Sequence, residues 1–243
     1  MPNTEQKAQH NLERIAGNPY PGRGIVIGLS EDSRHIVQIY WIMGRSVNSR
    51  NRKFVIEGDF VKNEAVDPAK LSDPSLIIYY PLKSADGRHI VSNGDQTDTI
   101  FDSITKGGTL EDALLTRTYE PDEPNYTPRI SGLVDTTADA RYAYQLSILK
   151  RINERGSCGR FYYNYEQAVP GIGHCIHTYA ANAEPLPTFA GEPFEVKLAG
   201  KADSLAKQYW DLLNEDNRIA LLVKTIDVHS GEASVIIRNQ YSK

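Results

Sequence analysis

The hydrophobic pattern divides the chain into a short opening helix, a run of strands, two helices and a second run of strands. Residues 4–16 read as a helix that Gly17 stops, and the prolines and glycine of Asn18-Pro19-Tyr20-Pro21-Gly22 prevent its continuation. The pattern then turns to short apolar runs. Residues 23–29 and 35–42 read as strands joined by the polar turn Ser30-Glu31-Asp32-Ser33, which makes a hairpin. Further strands are predicted at 53–57, 75–80 and 88–91, with a turn at Ala85-Asp86-Gly87 between the last two. Residues 97–106 form a helix ended by Gly107-Gly108, and Thr109-Leu110-Glu111-Asp112 is a capping box that opens another. A proline-bearing acidic loop at 120–128 precedes strands at 129–134, 141–149, 160–165, 173–179 and 192–198. A helix over 202–214 and a hairpin of 219–228 with 233–238 complete the pattern. Strands in runs, with helices grouped between them, predict a layered α+β architecture and not a doubly wound parallel sheet.

Composition narrows the picture only slightly. The 243 residues are 40% hydrophobic and 24% charged, which suits a globular chain, read as an N-terminal helical extension (1–21) and a single domain (22–243). No stretch reaches the ~18 apolar residues of a membrane helix, and two cysteines, Cys158 and Cys175, give no disulfide framework. The expectation is a soluble cytoplasmic protein with no membrane partner. A net charge of -4 argues against a general nucleic-acid binder, yet one local basic cluster suffices to hold a phosphate.

Such a cluster is present. Arg45, Arg50, Arg52 and Lys53 fall in one stretch that no acid interrupts, with Ser46, Asn48 and Ser49 as neutral donors. The arginine fork can hold phosphate oxygens bidentately, and a solvated basic loop is the alternative. Gly22-Arg23-Gly24 with Gly28 precedes a strand and does not link a strand to a helix, so it is not a dinucleotide fingerprint. Ser92-Asn93-Gly94-Asp95-Gln96-Thr97-Asp98 lies at a strand end leading into a helix, a place where backbone N–H groups favour an anion, although a plain turn and N-cap reads equally from the residues. Cys175 and His177 share a strand face but have too few companions for a metal site, and no metal is expected. The aromatic run Phe161-Tyr162-Tyr163-Asn164-Tyr165 suits base stacking or a half-buried strand.

Taken in order, these features resemble the archaeal-type IMP cyclohydrolase family. The similarity rests on Gly22-Arg23, Arg45-Ser46 with Arg50, Asp73-Pro74 and Tyr79, Ser92-Asn93-Gly94 with Thr97-Asp98-Thr99-Ile100, Tyr119-Glu120, and Thr127-Pro128-Arg129-Ile130. It spans about residues 22 to 135. Asn48-Ser49 stands where the family pattern has Pro-Asn, and the loop after Glu120 is longer by one residue.

The resemblance implies a four-layered αββα sandwich like that of the N-terminal-nucleophile hydrolases. It does not imply their chemistry, since Pro2 follows Met1 and leaves no Cys, Ser or Thr nucleophile at a simply processed terminus. The implied reaction closes the ring of a formamido-imidazole-carboxamide ribonucleotide, giving IMP and water without cofactor or metal. Glu120 is then the base, Tyr79 the proton donor, and Arg50 with Arg45 the cationic holders. Arg23, Ser46, Ser92, Asn93, Gly94, Thr97, Asp98 and Arg129 complete the expected substrate site, and the expected partner is a small purine ribonucleotide, with a homo-oligomer compatible. A nucleotide-binding protein without turnover and an amidohydrolase on the same fold are the competing readings.

Overall fold

Runs of β-branched and aromatic residues dominate the chain, and they form two antiparallel sheets. In the computed structural model, which describes residues 3–71 and 74–241, helix α1 (Thr4–Ala16) precedes β1 (Gly24–Leu29) and β2 (His35–Met43). A one-turn helix α2 (Val47–Arg50) leads to β3 (Lys53–Glu57) and β4 (Phe60–Glu64), then to β5 (Leu82–Ala85) and β6 (Arg88–Ser92). Helices α3 (Gln96–Ile104) and α4 (Leu110–Leu115) follow. The chain continues through β7 (Arg129–Asp135), β8 (Tyr144–Arg151), β9 (Cys158–Tyr165), β10 (Ile172–His177) and β11 (Phe194–Lys197). It ends with α5 (Ala202–Leu212), β12 (Arg218–Asp227) and β13 (Ala233–Asn239). The first sheet runs β11-β10-β1-β2-β12-β13 and the second β3-β4-β5-β6-β7-β8-β9.

The sheets meet face to face where β1 packs on β7 and β2 on β6. Gly132 permits that approach, because a Cβ there would lie 2.5 Å from Ile27 Cδ1. Helix α1 lies along β11 and α5 along β12 and β13, adding Leu12, Ile15, Leu205 and Tyr209 to the main core. On the far side of the second sheet, Ile100, Ile104, Leu110 and Leu114 of α3 and α4 close over Ile90, Leu133 and Leu149. Strands β1, β2 and β12 are thus buried on both faces. Each enclosed Ile or Leu stabilises by about 1.5–3 kcal/mol relative to exposure, so these strands anchor the fold.

The strand expected at 75–80 is absent. Pro74 and Pro81 flank this segment, and the Pro74 carbonyl accepts from both Ile77 N (3.0 Å) and Ile78 N (2.8 Å), which curls it into turns. The pairing role passes to β4 and β5, whose Val61 and Leu82 face each other in register. Asp73 of the expected Asp73-Pro74 pair lies outside the described residues. Within the basic stretch, Ser46 and Ser49 form a reciprocal capping box that nucleates α2, a helix the strand-and-loop pattern does not predict. The turns β1–β2, β3–β4, β5–β6 and β12–β13 gather at one end of the sandwich, and the start of β1, the β6–α3 junction and the start of β7 stand at the other.

Candidate active site

At the second of these ends, three arginines converge on one carboxylate. Arg23 opens β1, where its N–H donates to Thr178 Oγ1 (3.1 Å) and its carbonyl accepts from Thr178 N (2.9 Å). Its Nη2 lies 3.6 Å from Glu120 Oε2, a distance for ion pairing but too long for a hydrogen bond. Glu120 sits in the α4–β7 loop yet is only 1% exposed. Its N–H donates to the Thr127 carbonyl at 2.9 Å, and Asp122 closes the loop by accepting from Thr127 N and Oγ1. The Thr127 hydroxyl also meets the Tyr179 hydroxyl.

Arg129 opens β7 and donates through Nη1 to Gln96 Oε1 and Asp95 Oδ1, both at 2.7 Å; the other Asp95 oxygen is held by Arg117. Arg52, just before β3, is fully buried. Its Nε donates to the Ser49 carbonyl (2.9 Å) and its Nη2 to the Met43 carbonyl (3.3 Å), whereas Nη1 has no partner. The Tyr40 and Tyr79 hydroxyls are 2.7 Å apart.

The electrostatics follow from this crowding in a dry place. Burial pushes the Glu120 carboxyl up to about 7, against the opposing pull of Arg23, Arg129 and Arg52 and with help from Asp122. Burial also acts to lower the Arg23 guanidinium, but Glu120 and the phenol oxygens of Tyr179, Tyr79 and Tyr20 outweigh it and leave Arg23 well above its ordinary value. Arg52 is lowered, by burial first and by the like charge of Arg23 as well. Arg23 Nε, Arg52 Nη1 and Glu120 Oε2 are all buried without hydrogen-bond partners. A buried polar atom left unpaired costs about 1–3 kcal/mol, so an excess of cations with idle donors is a strained arrangement that an incoming anion would relieve.

Other expected residues serve as the frame of this cluster. Asn93 donates to the Pro128 carbonyl (2.8 Å) and accepts from Ile130 N (2.8 Å) and Gln96 Nε2 (2.9 Å), which ties the β6–α3 turn to β7. Ser92 Oγ meets Thr97 Oγ1 and donates to the Gly94 carbonyl at 3.1 Å. A Cβ on Gly94 would lie 2.5 Å from Arg129 Nη1 and 3.5 Å from Glu120 Oε1, so this turn is pressed against the charged group. Asp98 instead pairs with Lys83 at 2.6 Å.

The outer basic residues are engaged by neighbouring loops. Arg45 binds Asn182 Oδ1 and Glu184 (both 2.8 Å) and lies over the Tyr20 ring at 5.0 Å. Ser46 caps α2. Arg50 donates to the Asp216 carbonyl (2.5 Å) and Asn217 Oδ1 (3.3 Å). Arg52 is the member of the basic stretch that reaches the interior; Tyr40 joins the group unforeseen, and Gln96 of the strand-to-helix segment holds Arg129. Strand parity was the available signal for Arg52, because it stands two residues before the buried Phe54 and so on the same side. Cys175 and His177 are buried; desolvation pushes the thiol up and the imidazole down to about 3, and the imidazole packs edge-on against Phe189. Tyr165 stacks on His174 at 4.1 Å.

Comparison with known proteins gives this arrangement a context. The family described as "IMP cyclohydrolase-like protein" matches residues 20–231, which include every member of the charged cluster. The chain belongs to the IMP cyclohydrolase-like family. Among its relatives are proteins named IMP cyclohydrolase from Methanothrix thermoacetophila (36% identical over 122 residues), Methanopyrus kandleri (33% over 120) and Methanosphaera stadtmanae (35% over 129). These alignments take in 47%, 48% and 49% of this chain and 57%, 59% and 60% of the relatives, so the chain spans somewhat more than half the length of each. The family match, by contrast, runs from before β1 to the β12–β13 turn, across both sheets.

Proposed function

We propose that this chain is an IMP cyclohydrolase, converting 5-formamidoimidazole-4-carboxamide ribonucleotide to IMP and water, with the αββα arrangement of the N-terminal-nucleophile hydrolases as its fold. Residues 22–243 then form the catalytic domain and 1–21 a helical extension. The observation that carries this reading is the buried group of Arg23, Arg52, Arg129 and Glu120 with its idle donors, in a chain of this family. In the reaction, the carboxamide nitrogen attacks the formyl carbon, forming the ring C–N bond while the formyl oxygen becomes a hydroxyl. The nitrogen proton passes to Glu120, whose raised proton affinity suits a base working near neutrality. Tyr79, backed by the Tyr40 hydroxyl, donates to the formyl oxygen. The hydroxyl then leaves as water with the proton held on Glu120, while the formamido nitrogen returns its proton to the Tyr79 phenolate and the ring C=N bond forms. Arg23 and Arg52 bind the substrate anion, and Arg52 takes the inner position that the family pattern suggested for Arg50, with Arg45 and Arg50 holding the rim.

The test is to mix the protein with the formylated ribonucleotide and follow IMP by absorbance and chromatography. Glu120→Gln keeps the shape and removes the basicity, so kcat falls about 10²–10⁴-fold while substrate still binds. Thermal stabilisation by IMP with no turnover would make the chain a binder. Ammonia release from small amides would make it an amidohydrolase.

A further inference from the structure

At the opposite end of the sandwich, a cation is buried without a counter-ion. Lys224 of β12 is 2% exposed and points between the sheets, where its Nζ donates to Ser84 Oγ at 2.5 Å. Among the described residues no carboxylate lies within ion-pairing distance of it. Ser84 Oγ is in turn 3.3 Å from Nδ1 of His89, a residue 5% exposed whose Nε2 has no partner. Lys224 can only donate, so Ser84 accepts from it and is free to donate to Nδ1, which leaves the ring proton on Nε2 as a second idle donor. Lys224 and His89 line a cavity of about 350 Å³ whose walls include Ile56, Phe60 and Val235 together with the exposed Asp59 and Asp86, which mark its solvent side. Burial draws the lysine down to about 8, with Asp59 opposing, and draws the imidazole down to about 3, so the ring is neutral at pH 7.

We propose that this cavity is a second binding site, which takes a small monocarboxylate with a short apolar chain, its carboxylate held by Lys224 Nζ and His89 Nε2. A buried ammonium and an idle imidazole N–H that line one cavity suit an anionic acceptor, which offsets lost hydration more strongly than a neutral one. The two aspartates at the mouth restrict the charge, because one lysine offsets a single negative charge and a dianion would be repelled. The apolar walls select the remainder of the ligand.

The site is independent of the proposed cyclisation, and it is tested on the full chain by binding alone. Hexanoate is titrated into the parent protein, with hexanamide and inorganic phosphate in parallel, and read by ¹⁵N–¹H shifts of the β5–β6 and β12–β13 turns. Saturable shifts with hexanoate are expected, with hexanamide and phosphate each weaker by about tenfold or more. Lys224→Met keeps the length of the side chain and removes the charge, and it abolishes the response; Lys224→Gln serves if the methionine variant does not fold. Absence of saturable shifts at these turns in the parent, phosphate shifting the same turns as tightly as hexanoate, or persistence of the response in the lysine variant would each overturn the proposal.

Discussion

Arg50 and Arg52 are neighbours in one basic stretch, yet they stand in different surroundings. Arg50 spends its donors on the Asp216 carbonyl and on Asn217 at the protein rim. Arg52 is buried with one nitrogen unpaired beside Arg23 and Tyr79. Arg52→Ala is therefore expected to lower kcat/KM by about 10- to 150-fold, the worth of a charge-assisted contact, and Arg50→Ala by a few-fold at most. Equal losses in the two variants, with both folded by circular dichroism, would refute this division. In the proposed mechanism Glu120 sets the pH response: a base that must be ionised and whose proton affinity sits at about 7 gives kcat/KM a rising limb near pH 7 and a fall below it. A bound substrate anion neutralises the arginines that hold Glu120 down, so the limb in kcat moves to higher pH than that in kcat/KM. A limb near the ordinary carboxylate range of 4–5 would remove Glu120 as the base. The sequence alone named Glu120, Tyr79, Arg23 and Arg129 for this region, but burial separates Arg52 from Arg50 and is a property of packing, which no local spacing encodes.

Elements position these groups through their ends. The β6–α3 turn is built by Ser92, Asn93 and Thr97, whose bonds are all internal to the protein, and Gly94 at its apex lets the Arg129 guanidinium pass. Gly94→Ala places a methyl group against the flexible end of Arg129 and Gln96, so the fold is expected to persist while Arg129 shifts from its place. Activity should drop about tenfold or more, since misplacement on the order of an ångström can cost a hundredfold, with a melting temperature within a few degrees of the parent. A fully active, equally stable variant would show that Arg129 need not stand there. Hairpins and amphipathic helices such as β1–β2, β12–β13 and α5 were legible from period and turn chemistry. The segment 75–80 was not, because its apolar residues mimic a strand while Pro74 and Pro81 dictate turns, and α2 was hidden because serine capping and not an apolar stripe creates it.

For the whole molecule, the layered α+β class was readable from the grouping of strands and helices, whereas strand order was not. Sheet pairings such as β1 with β10 and β2 with β12 join residues about 150 to 190 positions apart, and nothing local announces them. The charged cluster inherits that remoteness: Arg23 at the head of β1, Glu120 before β7 and Tyr179 after β10 meet only when both sheets are complete and stacked. Folding of such a non-local topology is slow, because chain entropy is lost before the distant contacts form. The pocket that holds three like-charged arginines is therefore complete only in the native molecule. Any ligand that fills it binds only the finished molecule, and at a concentration a hundred times its dissociation constant it would add about 2.7 kcal/mol to the stability of the entire chain. For the proposed nucleotide substrate, supply would then govern how long the protein survives proteolysis as well as how fast it turns over.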